Sequence, residues 1–180
     1  MIRYAITDPS TLRPGSFVED LQRMADHGAT MVLYRDKHNP DYARFAEEFI
    51  AVARELPFEK ILLHDDPQLA WSLGADGVHL SSGRIEEVPR AKRLGLMSIA
   101  STHTLEQARK AQDLGGEMVT LSPLFPSPGK GEALGIEKFA AMVRKIGIPV
   151  IALGGIVEEQ SIDEALSAGA AGFASIRYFG

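Results

Sequence analysis

The chain has 180 residues, 45% of them hydrophobic, no cysteine and a formal net charge of −5. That length fills one core, so a single domain spanning residues 1–180 is expected. The lack of cysteine excludes disulfides, thiolate metal sites and thiol nucleophiles, and the acidic balance offers no global basic field for nucleic acid or an anionic membrane.

Strands are expected at eight short apolar runs: Arg3 to Thr7, Met31 to Tyr34, Lys60 to His64, Gly77 to Leu80, Met97 to Ala100, Met118 to Ser122, Val150 to Leu153 and Gly172 to Ile176. Each is near-continuously hydrophobic, as a parallel strand covered on both faces requires. Between them, helical spacing runs over Phe17 to His27, Asp41 to Glu55, Pro67 to Leu73, Glu86 to Leu94, Leu105 to Leu114, Ile136 to Ile146 and Ser161 to Ala168. In the second of these, Phe45, Phe49, Val52 and Leu56 form one apolar stripe. Gly28, Gly74, Gly95, Gly115, Gly147 and Gly169 stand where left-handed C-caps are wanted. The expected fold is α/β, a compact (β/α)8 TIM barrel lacking its final helix, because only Arg177 to Gly180 follow the eighth run. The groove left by that helix would expose the flanks of its neighbours, which points to a homodimer. No basic and apolar leader pattern opens the chain and no run approaches 18 apolar residues, so a cytoplasmic protein is expected.

In such a barrel the reactive groups sit at the carboxyl ends of the strands. Gly154 and Gly155 close the seventh run, where backbone amides commonly hold a phosphate; the plain alternative is a tight turn. Arg177, ending the eighth run, is either a phosphate partner or a solvated side chain. Arg35 and Lys37 place two cations at the second strand's end, suited to a phosphate or diphosphate, though charged strand ends are also ordinary surface. After the third run stand His64, Asp65 and Asp66. Asp66 precedes Pro67 and is read as a helix N-cap, which leaves Asp65 as the candidate ligand for Mg2+. In Ser101-Thr102-His103 one hydroxyl is expected to cap the next helix and another to face inward. His79 is read as a satisfied core imidazole in preference to a catalytic one. Lys130 lies in the long stretch from Pro123 to Gly135, where it either swings over an anion or stays solvated.

Six motifs in order then resemble one superfamily: Tyr4-Ala5-Ile6-Thr7-Asp8, Tyr34-Arg35-Asp36-Lys37, Leu73 through Leu80, Ser101-Thr102-His103-Thr104, Ser122-Pro123-Leu124-Phe125-Pro126-Ser127 through Lys130, and Ile148 through Ile156. Together they are similar to the thiamine-phosphate synthase and TenI superfamily. The resemblance implies a reaction that joins a pyrimidine methyl diphosphate to a thiazole phosphate. Mg2+-assisted departure of pyrophosphate leaves a carbocation, which the thiazole nitrogen captures. It further implies that Arg35 and Lys37 hold the diphosphate, Asp65 ligates Mg2+ and Ser101 lies near the pyrimidine. Ser127 and Lys130 would belong to a loop closing over the phosphates, with Gly154 and Gly155 cradling the thiazole phosphate.

Three positions depart from the synthase pattern. Leu33 replaces a glutamine, His64 replaces an asparagine, and Arg84 stands at the second metal aspartate, where it is expected to neutralise pyrophosphate directly. Ser81 to Arg84 looks more like the TenI branch, whose activity is thiazole phosphate tautomerisation by a histidine; that position is Pro123 here. The expectation is a transferase of thiamine biosynthesis with an altered metal site. The alternatives are a TenI-like isomerase using His103, His79 or His64, and a non-catalytic binder of phosphate ligands.

Overall fold

The computed structural model describes residues 1–180. In chain order its elements are β1 (Ile2–Ile6), α1 (Phe17–Asp26), β2 (Met31–Tyr34), α2 (Tyr42–Arg54), β3 (Lys60–His64), α3 (Pro67–Ser72), β4 (Gly77–Leu80), a 3₁₀ turn (Ser82–Glu87), α4 (Val88–Arg93), β5 (Met97–Thr102), α5 (Leu105–Asp113), β6 (Met118–Leu121), α6 (Ile136–Val143), β7 (Val150–Leu153), α7 (Glu159–Ser167) and β8 (Gly172–Ser175). Every strand pairs in parallel with its sequence neighbours, and β1 also pairs with β8, from Ile2 beside Gly172 to Ala5 beside Ser175. The result is a closed (β/α)8 barrel with seven α-helices and none after β8.

Side chains alternate across each strand, and closure turns one set inward. Tyr4, Ile6, Met31, Leu33, Leu62, Met97, Ile99, Ile151 and Ala174 meet in the lumen. The opposite set, including Ala5, Val32, Leu63, Val78, Leu121 and Phe173, joins the larger shell beneath the helices. Both faces of the sheet are therefore dry, which explains the unbroken apolar runs. On α2 the buried line is Ala46, Phe49, Ile50 and Ala53, with Phe45, Val52 and Leu56 only partly buried at its edge. The buried stripe thus shares Phe49 with the expected one but is centred on Ala46, Ile50 and Ala53.

Several boundaries move for identifiable reasons. β5 runs on to Thr102 because Ser101 and Thr102 continue the ladder with Thr120 and Leu121 of β6. The helix expected from Glu86 begins at Val88, since Pro89 has no N–H and suits only a first turn. Gly147 is not left-handed, unlike the other five expected caps. α6 ends four residues earlier, and the Gly147 amide donates instead to Gln112 Oε1 at 2.6 Å. Asp66 caps α3 as expected, accepting from the Leu69 amide. α5 is capped by Thr104, while Thr102 is buried and donates to the Thr120 carbonyl.

Where an eighth helix would lie, Phe179 is fully buried and stacks on Phe173 with centroids 5.6 Å apart. The Arg3 guanidinium lies 5.4 Å from the centroids of both Phe173 and Tyr178. That space is filled by the chain's own aromatics, so the homodimer loses the empty groove that argued for it. No helix is long and apolar enough to cross a membrane.

Near the barrel mouth, the fully buried Asp20 of α1 receives Arg13 at 2.7 Å and Arg23 at 2.8 Å. Burial pushes its pKa up, but hydrogen bonds from the two arginines outweigh this and hold it at about 2. Arg23 also donates to the Thr11 carbonyl, so the pair fastens the loop after β1 to α1.

Gly172 sits at the closing seam, where an added Cβ would collide with the Ile2 carbonyl oxygen and Ile2 Cβ. Gly172→Ala is expected to cost about 3 kcal/mol in urea unfolding by forcing β8 from β1. A loss below about 1 kcal/mol would show that the seam is looser than described.

Candidate functional site

The carboxyl ends of the strands open into one cavity of about 460 Å3, a size suited to a small organic ligand. Its floor is the upper lumen, formed by Ile6, Leu33, Leu153, Ala174 and Ile176. Its wall carries Arg35 and Lys37 after β2, His64 of β3, His79 of β4, Ser101 of β5 and His103 after it. Ser127 and Lys130 come from the β6–α6 loop, Gly154 and Gly155 follow β7, and Arg177 follows β8. Asp8, Ser10, Ser81, Ser82 and Ser122 also line the cavity. The sequence marked most of these strand ends, but not Ser10, which reaches the wall through an Asp8–Ser10 turn.

The cations influence one another. Burial lowers the pKa of Lys37, Arg35 and Lys130 lower it further, and Asp65 opposes them. Like charges gathered on one wall repel until an anion binds. His64 is pushed down to about 4, first by burial and then by Arg35, Lys37 and Arg84, with Asp65 acting in the other direction. It is therefore a neutral ring at pH 7.

Local packing by itself requires the glycine pair. Gly154 has φ +104 and Gly155 φ +72, so both need the left-handed region. A Cβ on Gly154 would lie 2.7 Å from Pro123 Cα, and one on Gly155 would lie 2.6 Å from Phe125 Cβ. Glycine is thus required by the β6–α6 loop packed against it, before any phosphate is considered. That loop is pinned by Leu124 N–H donating to Leu153 O and Phe125 N–H to Gly154 O, at 2.9 and 3.0 Å. Its anchored first half sets the base from which Ser127 and Lys130 reach the cavity.

Two expected residues do not line the cavity: Asp65 and Arg84. Asp65 has φ +58 and turns its carboxylate to Ser81, accepting from the amide at 2.6 Å and the hydroxyl at 2.9 Å. Arg84 is exposed on the 3₁₀ turn, 3.9 Å from Glu87. No three His, Cys, Asp or Glu side chains come together in a metal-holding group. The chain itself would offer a Mg2+ ion one carboxylate, Asp65, which also accepts from Ser81, because the second position is the cation Arg84; the remaining ligands would have to be substrate oxygens or water. Asp65 thus forms a turn with Ser81, and Arg84 lies outside the cavity lining, although its charge still reaches His64.

His79 is almost wholly buried, and its two ring nitrogens face Tyr4 Oη at 2.9 Å and Ser101 Oγ at 2.8 Å. Burial, then His64 and Arg35, push its pKa down to about 3. As pH falls below about 6.5 the unfolded chain takes up this proton while the folded protein resists it, so stability is lost toward pH 4. The thermal midpoint is expected to fall over that interval, with a shallower slope in His79→Gln. An unchanged slope would mean that His79 does not carry the effect.

Comparison with known proteins agrees with this geometry. A family model described as "Thiamine monophosphate synthase" matches residues 3–179. A Geobacter sulfurreducens protein named "Putative thiamine-phosphate synthase" is 35% identical, covering 96% of this chain and 84% of that protein. "Putative thiamine-phosphate synthase 2" of Aquifex aeolicus is 33% identical over 98% of this chain and 96% of its own length. The solved thiamine phosphate pyrophosphorylase from Pyrococcus furiosus superposes with a TM-score of 0.81 at 28% identity, covering 97% of this chain and 85% of that one. With the match running from β1 to the end of the barrel, the chain belongs to the thiamine monophosphate synthase family.

Proposed function

We propose that the protein is a transferase of thiamine biosynthesis, joining a pyrimidine methyl group from its diphosphate to a thiazole phosphate. The observation that carries this reading is the convergence of Arg35, Lys37, Lys130 and Arg177 on a single cavity with an apolar floor. Net charge is −5, so this concentration of cations is local.

In the transfer, the bond between the methylene carbon and the diphosphate oxygen breaks, and both electrons leave with pyrophosphate. Arg35, Lys37 and Lys130 offset the negative charge that accumulates there. The lone pair of the thiazole nitrogen then forms the new C–N bond to the electron-poor methylene. The dry floor of Ile6, Leu33 and Leu153 keeps water from capturing that carbon first. On the far side, Arg177 and the backbone after β7 hold the thiazole phosphate.

A second reading rests on one contact. His103 Nδ1 lies 2.9 Å from the Ser122 carbonyl, which can only accept. With Nδ1–H donated to that carbonyl, Nε2 of His103, a residue of the cavity wall, is left as an acceptor. This suits proton shuttling on a thiazole phosphate.

Purified protein given both substrates is expected to form thiamine phosphate, with Arg35→Ala lowering kcat/KM about 10²-fold. Asp65→Asn keeps an acceptor for Ser81 and tolerates the left-handed backbone, so it is expected to stay within about threefold of wild type. No product with both substrates would refute the transferase reading, and a hundredfold loss in Asp65→Asn would restore Asp65 as a ligand. Deuterium exchange into thiazole phosphate alone, abolished by His103→Gln, is the result that would favour the isomerase.

A further inference from the structure

Tyr4 lies on β1, His79 on β4 and Ser101 on β5, yet closure strings them into one chain of hydrogen bonds across the lumen. Tyr4 is fully buried and its phenol has His79 as its one hydrogen-bond partner. His79 is 2% exposed, and Ser101 Oγ likewise has His79 as its one partner. Ser101 also lines the cavity, so it is where this buried chain meets a ligand.

A neutral imidazole has one N–H and one lone pair, so the chain can run in two directions. In the first, Nδ1–H donates to Tyr4 and Ser101 donates to Nε2. The phenolic hydrogen then points into a dry lumen lined by Leu62, Ile99 and other apolar side chains, with no acceptor. In the second, Tyr4 donates to Nδ1 and Nε2–H donates to Ser101 Oγ. The polar atoms of Tyr4 and His79 are then all paired, and the Ser101 hydrogen is free to face the cavity. Tyr4 is held as a protonated phenol by burial, which raises its pKa well above the usual value. The His79 ring is kept neutral first by burial, and the Arg35 charge acts in the same sense.

We infer that Tyr4 and His79 are positioning residues that present the Ser101 hydroxyl to the cavity as a hydrogen-bond donor, so that the site selects a ligand carrying an unprotonated acceptor there, such as a neutral pyrimidine ring nitrogen. The choice of a pyrimidine rests on the transferase reading; the direction of the hydrogen-bond chain does not. A ligand offering an N–H at this point can use only the second lone pair of Ser101 Oγ and leaves the serine hydrogen without an acceptor.

Nitrogen-15 NMR of histidine-labelled protein at pH 7 reads the direction, with the His79 signals identified by their loss in His79→Gln. The expected pattern is protonated Nε2 and unprotonated Nδ1. A protonated Nδ1 with a free Nε2, or an imidazolium, overturns the inference. Tyr4→Phe keeps the ring and removes the phenol, so the two His79 nitrogen shifts are expected to move toward each other as the tautomers mix; unchanged shifts overturn the role of Tyr4. Calorimetry then compares the aminopyrimidine methyl diphosphate with two analogues, each having one ring nitrogen replaced by C–H. One analogue is expected to bind about tenfold more weakly to wild type and equally to Ser101→Ala. All three binding alike, or none binding, overturns the selection. Failure to form thiamine phosphate counts against the transferase reading alone, because the tautomer is read without substrate.

Discussion

Pairing of β8 with β1 is the constraint on which the rest depends. An open sheet of these strands would spread their carboxyl ends over the width of eight strands and leave two edges unpaired. Closure brings the ends of β2, β3, β5, β7 and β8 around one opening and seals the lumen beneath it. It also demands close approach, met by Gly172 against Ile2 and by Gly77, where a Cβ would lie 2.5 Å from the Met97 carbonyl oxygen. Steric limits at the closing strands and chemistry at the mouth are two results of one geometry.

The mouth concentrates what the sequence as a whole lacks. An acidic chain gathers Arg35, Lys37, Lys130 and Arg177 on one rim, where burial and mutual repulsion already lower the pKa of Lys37. This arrangement is costly without a ligand and favourable with an anion. The acidic groups nearby are hydrogen-bonded: Asp65 to Ser81, and Asp8, itself on the cavity wall, to Ser10. Neutral His64 and His79 beneath the cations add polarity without adding charge. The wall is thus basic above and neutral polar below, over an apolar floor, which suits a ring carrying a phosphate group.

Much of the fold was legible because each strand is dry on both faces, and that requirement writes itself locally as an apolar run. The rim residues followed from the rule that barrel strands end at the site, so Arg35, Lys37 and Lys130 could be marked before any coordinates. What escaped were contacts made by distant parts of the chain. That Gly154 and Gly155 are also required by the packing of Pro123 and Phe125, some thirty residues away, could not be read locally. The turn that Asp65 makes with Ser81, 16 residues on, was likewise unmarked. Tyr4 stood only as one residue of the first apolar run, since nothing near it shows that His79, 75 residues on, meets its hydroxyl. Pro89 was the exception: its missing N–H stood in the sequence and should have moved the start of α4.

The central claim is that one closed mouth holds two anionic groups side by side. Calorimetric titration of inorganic pyrophosphate into protein already saturated with thiazole phosphate tests it directly. The account predicts that both bind together, with pyrophosphate affinity within a few-fold of that for the free protein. Mutual exclusion, with pyrophosphate displacing thiazole phosphate one for one, would contradict it.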